Sequence, residues 1–152
     1  MLRVSRLTDY GTMILGCLAQ GDEQSLSAKR IALATGLRLP TAQKLLKQLA
    51  GGGLVRSERG AAGGYRLARP AREINAMEIL EALEGPMALT ECSHAEGQCE
   101  LELFCSVGGA WQQINRAIRG ALTEVTLADL RRSAPSFRTP KLAADLTARM
   151  GR

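Results

Sequence analysis

The chain has 152 residues, which fits one domain or one small domain with an extension, and only 3% of them are aromatic, so we expect an aliphatic core. No apolar run is long enough to span a bilayer and no signal peptide is expected, which together predict a cytoplasmic location. Structural disulfides are rare there, so the four cysteines favour metal or redox chemistry.

The charge is unevenly distributed along the chain. Residues 1–72 hold 12 Lys and Arg against 4 Asp and Glu, whereas residues 73–105 hold 8 acidic residues and no Lys or Arg. Residues 106–152 are basic again, with 8 Lys and Arg against 3 acidic residues. A basic first half suits a polyanion such as nucleic acid, although a solvated basic surface explains the charge equally well.

The first predicted helix carries an apolar stripe at helical spacing, with Thr8 as its expected N-cap and an end near Gly21 and Asp22. The stripe consists of Leu7, Tyr10, Ile14, Cys17 and Leu18. Because Cys17 lies on this stripe, we expect a small buried core residue rather than a metal ligand.

Two further helices follow in a helix-turn-helix pattern. Ser27 is the expected N-cap of the first, which stops at Gly36, and Pro40 opens the second. The second helix has an apolar face of Ala42, Leu45, Leu46 and Leu49 and a polar face of Thr41, Gln43, Lys44, Lys47 and Gln48. In such pairs the second helix reads DNA, although similar pairs occur in proteins that bind none.

A β-hairpin is predicted directly after this helix, with strands at 54–57 and 65–67 around a glycine-rich turn at 58–64. The order predicts a winged helix whose thin tip brings a guanidinium to the minor groove, the alternative being an ordinary flexible hairpin. The predicted DNA contacts are Thr41, Gln43, Lys44, Lys47, Arg56, Arg59 and Gly60.

A fourth helix with a capping box of Asn75 and Glu78 ends at Gly85-Pro86, and a cysteine-rich stretch begins after it. Six residues separate Cys92 from Cys99, five separate Cys99 from Cys105, and His94 lies between them. Three thiolates this close suit one metal cluster, a zinc site completed by His94, or disulfides.

A long helix after the cysteines carries Trp111, Ile114, Ile118 and Leu122 on one side. Such a stripe is often only core, but the preceding elements already complete a fold, so we expect it to contact a second copy of the chain. The dimerisation residues are predicted to be Trp111, Ile114 and Ile118.

The chain resembles the bacterial winged-helix iron–sulfur regulators of the IscR and NsrR type over roughly residues 1–132. The matching segments are RLTDYGTMIL, LPTAQKLLKQLAGGGLV, RGAAGGYRLARP, the three-cysteine loop and WQQINRAI, and ALTECSHAEGQCE resembles the regulators of the SUF iron–sulfur assembly operon. The resemblance implies a homodimer that binds a palindromic promoter site and carries one iron–sulfur cluster, 2Fe–2S or 4Fe–4S, in each subunit, held by Cys92, Cys99 and Cys105.

One position departs from the IscR pattern, because Gly108 stands where that branch has a histidine. The resemblance to the NsrR branch implies that Asp9, supplied by the partner chain, is the fourth ligand. His94 is the competing ligand, although its spacing from Cys92 is cramped for two ligands on one iron.

These observations predict a mainly α protein: a winged helix at 1–85, a cluster loop at 86–106, a dimerisation helix region at 107–132 and a basic tail at 133–152. We expect a cluster-sensing DNA-binding regulator, with promoter DNA and a second copy as partners and no membrane or small-molecule substrate. The alternatives are a nitric oxide or redox-sensing repressor, a zinc-binding regulator and an iron–sulfur electron carrier. No P-loop, dinucleotide motif or nucleophile triad is present, so no enzyme is expected.

Overall fold

The computed structural model describes residues 5–21, 24–60, 63–90 and 106–133. Within those ranges helices and strands follow the order α1 (Arg6–Leu18), α2 (Ala28–Thr35), α3 (Leu39–Gly51), β1 (Val55–Glu58), β2 (Gly64–Leu67), a 3-10 turn (Ala71–Glu73), α4 (Ala76–Glu84), α5 (Gly108–Glu124) and α6 (Leu127–Ser133). This is the predicted helical fold with a two-stranded wing.

The N-terminus of α1 differs from the prediction. Ser5, and not Thr8, is the N-cap, because the Ser5 hydroxyl accepts a hydrogen bond of 3.1 Å from the Leu7 amide. Thr8 lies inside the first turn, is buried, and donates its hydroxyl to the carboxylate of Glu84. The helix also ends at Leu18, earlier than Gly21 and Asp22 suggested.

The helix-turn-helix matches its prediction closely. Ser27 caps α2 and accepts a hydrogen bond of 3.3 Å from the Arg30 amide, and Gly36 ends the helix. Helix α3 begins one residue before Pro40, and its predicted apolar face, Ala42, Leu45, Leu46 and Leu49, is fully buried. Gln48, expected on the outer face, is half-buried instead.

The wing is an antiparallel hairpin in which Val55 pairs with Leu67 and Glu58 pairs with Gly64. The first strand begins one residue later than predicted, at Val55, and the Leu54 amide donates a hydrogen bond of 3.0 Å to the Leu49 carbonyl of α3. Leu26 adds a contact that the sequence did not predict: it exchanges backbone hydrogen bonds of 2.9 and 2.8 Å with Tyr65. The base of the wing is thereby fixed to the segment that leads into α2.

Helix α4 has the predicted capping box, since Asn75 and Glu78 exchange side-chain to backbone hydrogen bonds of 3.0 Å in both directions. It packs closely against two neighbours. A Cβ added to Gly52, just after α3, would lie 2.5 Å from the Cβ of Ala82, and one added to Gly11 of α1 would collide with Leu83. Helix α4 is therefore in direct contact with both α1 and the end of the predicted reader helix.

Helix α6 was not predicted. Its first residue, Leu127, is fully buried, and the Leu127 amide donates a hydrogen bond of 2.8 Å to the Ile74 carbonyl. Thr126 and Arg132 hold the pKa of Asp129 at about 2, because the Thr126 hydroxyl and amide donate to its carboxylate and the Arg132 guanidinium pairs with it. Residues 125–132, grouped by sequence with the dimerisation helix, thus also contact the winged helix.

Cys17 is half-buried rather than fully buried, and burial raises the pKa of its thiol above the ordinary value. This agrees with a thiol that stays protonated and unreactive at neutral pH. Among the helices that the structure describes, none combines the length and the apolar character that crossing a membrane requires.

Candidate nucleic-acid interface and cofactor site

Helix α3 carries four of the seven predicted DNA contacts. Gln43, Lys44 and Lys47 are exposed, and Thr41 is half-buried in the first turn. Because the opposite face is fully buried, the helix cannot rotate without exposing leucines, so these side chains are held outward. An amide and two ammonium groups on one helix face suit base edges and phosphates.

The wing presents the remaining predicted contacts. Arg56, Arg59 and Gly60 are exposed, and Gly60 has φ of 116°, a backbone conformation that side chains rarely adopt. Within the described ranges no ion pair engages either arginine. The nearby carboxylate of Glu58 is occupied: Ser25 and Arg66 both donate to it, which lowers its pKa, and the Arg66 contact is 2.5 Å.

Three exposed cations near this face were not predicted as contacts: Lys29 and Arg30 in the first turn of α2, and Arg38 just before α3. The first turn of α2 contains no acidic residue. Cations at a helix N-terminus oppose the helix dipole, so helix stability does not explain Lys29 and Arg30. Two basic residues directly after the Ser27 N-cap, where the helix dipole favours acidic ones, were the sequence signal that would have identified Lys29 and Arg30.

The predicted cofactor ligands Cys92, His94, Cys99 and Cys105 lie outside the described residues. Within the described part of the chain, no three His, Cys, Asp or Glu side chains come together as a metal site. The described chain does show where the cysteine segment starts and ends, because α4 stops at Glu84 and α5 starts at Gly108.

The end of α4 is bonded to the start of α1. The Glu84 carboxylate accepts hydrogen bonds from the hydroxyls of Ser5 and Thr8 and from the Ser5 amide at 3.3 Å, and these donors lower its pKa. Asp9, in the same first turn of α1, is exposed. Its carboxylate is therefore not covered by the described part of its own chain.

Arg119 of α5 contacts both α4 and the segment that follows it. Its guanidinium pairs with Glu81 of α4 at 2.8 Å and donates a hydrogen bond of 3.2 Å to the Met87 carbonyl. The segment that leads toward the cysteines is therefore attached to α4 and α5 at once. A movement of Met87 would therefore disturb its contact with Arg119.

Helix α5 leaves much of its apolar stripe uncovered. Trp111 and Ile114 are each 43% exposed, and Ile118 is half-buried. Val107, just before the helix, is also exposed. The predicted dimerisation residues thus lie on a surface that the described part of the same chain does not cover.

Comparison with known proteins identifies relatives along most of the chain. The model of the Rrf2 family, described as iron-dependent transcriptional regulator, matches residues 4–133. Protein rrf2 of Nitratidesulfovibrio vulgaris is 34% identical over 88% of this chain and 89% of its own length. The HTH-type transcriptional regulator IscR of Serratia proteamaculans is 31% identical over 82% of this chain and 78% of its own.

Solved structures agree with this assignment. CymR, the global cysteine regulator of B. subtilis, has a TM-score of 0.66 and 34% identity, covering 89% of this chain and all of that one. IscR of T. potens has a TM-score of 0.64 and 33% identity, covering 91% of this chain and 93% of its own. The predictions of a winged-helix regulator and of a protein that is not an enzyme are confirmed. The chain belongs to the Rrf2 family of transcriptional regulators.

Proposed function

We propose that the protein is a homodimeric regulator that binds promoter DNA and holds an iron–sulfur cluster, and that it controls genes of iron–sulfur cluster assembly, as a SUF-type repressor does. In this proposal residues 1–85 bind DNA, residues 86–106 hold the cofactor and residues 107–132 contribute the dimer contact. The observation that carries it is the position of α4, which touches the reader helix and leads directly into the segment with the three cysteines.

Binding of DNA is assigned to two exposed cationic surfaces. Thr41, Gln43, Lys44 and Lys47 on α3 face the major groove, and Arg56, Arg59 and Gly60 on the wing approach the adjacent backbone and minor groove. The exposure of the charged residues supports this, as does the ion pair of Glu58 with Arg66, which offsets the negative charge of this carboxylate on the wing. The similarity to IscR proteins supports it independently.

Two copies are proposed to meet through α5. Trp111, Ile114 and Ile118 of one protomer cover the same residues of its partner in a self-complementary contact, the usual geometry of a two-fold dimer. A dimer of this kind places two reader helices on a palindromic site, as in other helix-turn-helix regulators.

The cofactor is assigned to the thiolates of Cys92, Cys99 and Cys105, with Asp9 of the partner subunit as fourth ligand and His94 as the competing one. When bound, a 2Fe–2S or 4Fe–4S cluster would supply a link that is sensitive to oxidants and to iron shortage. The carboxylate of Asp9 is a harder donor than a thiolate, so it would be the weakest of the four ligands. The exposure of Asp9 on the first turn of α1 supports this assignment.

Communication between cofactor and DNA is assigned to α4 and its contacts. The Glu84 carboxylate links the end of α4 to Ser5 and Thr8 of α1, and Ala82 touches Gly52 at the end of α3. Because these contacts are close-packed, a shift at the end of α4 is passed on to α1 and α3. The dimer with its cluster bound and the dimer without it differ in which residues are held as cluster ligands. Such a shift would therefore change the fraction of dimers that can bind DNA.

A second function within the same family has its own support. The likeness to CymR favours a regulator of cysteine metabolism, for which the thiols would not have to hold iron. A zinc site of Cys92, His94, Cys99 and Cys105 and a repressor that senses nitric oxide or redox state remain alternatives within the same fold. An electron carrier is disfavoured by the winged helix and by membership of a transcriptional regulator family.

The assignment is tested with single variants reconstituted anaerobically with iron and sulfide. Alanine at Cys92, Cys99 or Cys105 is expected to abolish visible absorbance, because a cluster iron loses a thiolate, whereas Cys17→Ala keeps it. Asp9→Ala is expected to give a cluster that forms poorly or decays faster in air, while His94→Ala changes little. Glu124→Ala, which removes an exposed carboxylate on α5, is the matched control for Asp9.

The opposite pattern contradicts the ligand assignment. If His94→Ala abolishes absorbance and Asp9→Ala keeps it with normal stability in air, the loop supplies all four ligands. If every variant, including the wild type, stays colourless and contains zinc, the protein is a zinc-binding regulator.

A further inference from the structure

The exposed face of α3 contains a straight row of side chains that begins with a leucine. Leu39, Gln43 and Lys47 are spaced four residues apart, and residues at this spacing lie on one helix face. All three are exposed, and Leu39 is 38% exposed. The row continues at Gly51, which has no side chain. The first residue of this row is therefore apolar, although the row lies on the face of α3 that is proposed to contact DNA.

The core beneath the start of α3 is formed by neighbours of Leu39. The turn before α3 is anchored by Leu37, which packs against the core, and the first inward residue of the helix is Ala42, which is fully buried. Leu39 is not part of that fully buried set, and 38% of its surface remains accessible. An apolar side chain is therefore exposed in the first turn of α3, directly after the exposed cation Arg38.

We propose that Leu39 is a specificity-determining residue that contacts the 5-methyl group of a thymine in the major groove. This rests on the proposed DNA binding by α3. Thymine is the base that presents a methyl group in the major groove, and apolar side chains at the start of a recognition helix reach base edges. Arg38, directly before Leu39, and Lys44 and Lys47, further along α3, are exposed cations that favour phosphate contacts by the same helix.

The spacing of the row predicts a pattern in the DNA. Four residues of an α-helix advance about 6 Å along the axis and one base step is about 3.4 Å, so residues four apart reach bases one or two steps apart. The amide of Gln43 matches the N6 and N7 edge of adenine. Each half-site should therefore contain a thymine, read by Leu39, within two steps of an adenine read by Gln43.

The first experiment selects binding sites from a random double-stranded DNA library with the full-length protein and with Leu39→Ala. We expect the wild type to enrich a two-fold symmetric site and Leu39→Ala to lose the preference for thymine at one position in each half while it keeps the others. Leu33→Ala is the matched control, because Leu33 is a leucine of α2 that is 73% exposed and lies outside the row; it should select the wild-type site.

The second experiment changes the DNA and measures its binding by the wild-type protein. The thymines of the selected site are replaced one at a time by deoxyuridine, which pairs identically but lacks the methyl group. The wild type should bind about fourfold more weakly for each half-site substituted at the predicted position, the loss expected for one buried methyl group. Leu39→Ala should bind the thymine and deoxyuridine sites equally.

The outcomes separate this inference from the proposed function. If the wild type enriches a site but no deoxyuridine substitution weakens binding, or if Leu39→Ala remains sensitive to the same substitution, Leu39 does not read a thymine methyl while the protein is still a DNA-binding regulator. If the wild type enriches no sequence, sequence-specific DNA binding fails and the assignment of Leu39 fails with it.

Discussion

Helices α3 and α5 carry similar apolar stripes in the sequence, but the structure buries only the stripe of α3 fully. The α3 stripe of Ala42, Leu45, Leu46 and Leu49 is fully buried within its own chain, whereas Trp111 and Ile114 of α5 remain 43% exposed. The outward face of α3 is polar and cationic, whereas α5 exposes part of its apolar stripe. The core of the same chain covers the stripe of α3, and the described part of the chain leaves the stripe of α5 partly uncovered.

The difference in burial between the two stripes distinguishes residues that stabilise the fold from residues that are proposed to join two chains. Residues that close the core of the winged helix should affect the stability of the monomer, and residues on the exposed stripe of α5 should affect association with little effect on the fold. Helix α4 lies between these regions and contacts both, since it packs against α1 and α3 and is paired with Arg119 of α5.

The largest effect is expected from a charge on the open stripe of α5. Ile114→Glu should bury an unpaired carboxylate in the dimer contact, which costs about 3–5 kcal/mol, and convert dimer to monomer. Light scattering measures the mass, and circular dichroism should show an unchanged fold because Ile114 is exposed in the single chain. Gln113→Glu, an exposed position on the opposite side of α5, is the control and should remain dimeric. A persistent Ile114→Glu dimer would place the contact elsewhere.

The close packing of α4 against the end of α3 is tested by substitutions at two neighbouring glycines, Gly51 and Gly52. Gly52→Ala places a methyl group 2.5 Å from the Cβ of Ala82, and the shift this forces should cost about 1–3 kcal/mol. The melting temperature should fall by roughly 3–10 °C. Gly51→Ala meets no atom within 4 Å and should leave the melting temperature equal or slightly higher. Equal melting temperatures for both variants would show that α3 and α4 are not closely packed.

The cationic outward face of α3 is tested by the salt dependence of DNA binding. Lys47→Ala should weaken binding to all sequences and reduce the slope of log affinity against log salt by about 1, because one phosphate contact is lost. An unchanged slope for Lys47→Ala argues against a phosphate contact.

The wing is tested by Arg59→Ala, which should lower the affinity for the selected site by about 1–3 kcal/mol. Wild-type affinity of this variant argues against reading by the wing.

A smaller, pH-dependent effect is expected at the junction of α4 and α1. The donors around Glu84 lower its pKa, so its carboxylate stabilises the folded state above the ordinary value of 4.5 and this contribution is lost as pH falls through the lowered pKa. Because Glu84 is exposed, the effect should stay below about 1 kcal/mol. Glu84→Ala should melt below the wild type at pH 7, and the gap should shrink below pH 4.5.

The control for this pH effect is Glu124→Ala, which removes an exposed carboxylate at the end of α5. The difference between this variant and the wild type should not depend on pH. A gap for Glu84→Ala that is independent of pH would assign its effect to packing rather than to the ionised carboxylate.

Local signals allowed much of the winged helix to be predicted. The apolar spacing in α3, the Ser27 cap and the box of Asn75 and Glu78 depend on residues close in sequence, and all are present in the structure. The cap of α1 was mispredicted because Ser5 and Thr8 are both good caps. The choice depends on Glu84, 76 residues from Thr8, which the local pattern does not contain.

Helix α6 and the contact of Leu26 with Tyr65 were missed for different reasons. A local signal did exist for α6, since Thr126 and Asp129 form a reciprocal cap, with hydrogen bonds of 3.0 and 3.2 Å between side chains and backbone. The contact of Leu26 is a pairing across 39 residues and had no local signal. The roles of the three cysteines, His94 and Asp9 remain predictions, because a ligand set depends on chain segments that the local pattern does not bring together.

The most direct test of the central claim combines cofactor and DNA in one sample. The wild type is purified without oxygen, its visible spectrum and its iron and sulfide contents are measured, and the same sample is used in a gel shift with the selected site before and after exposure to air. We expect a coloured protein with iron and sulfide in equal amounts and a DNA affinity that changes when the colour is lost. A colourless protein, or a DNA affinity that stays the same with and without the cluster, would contradict it.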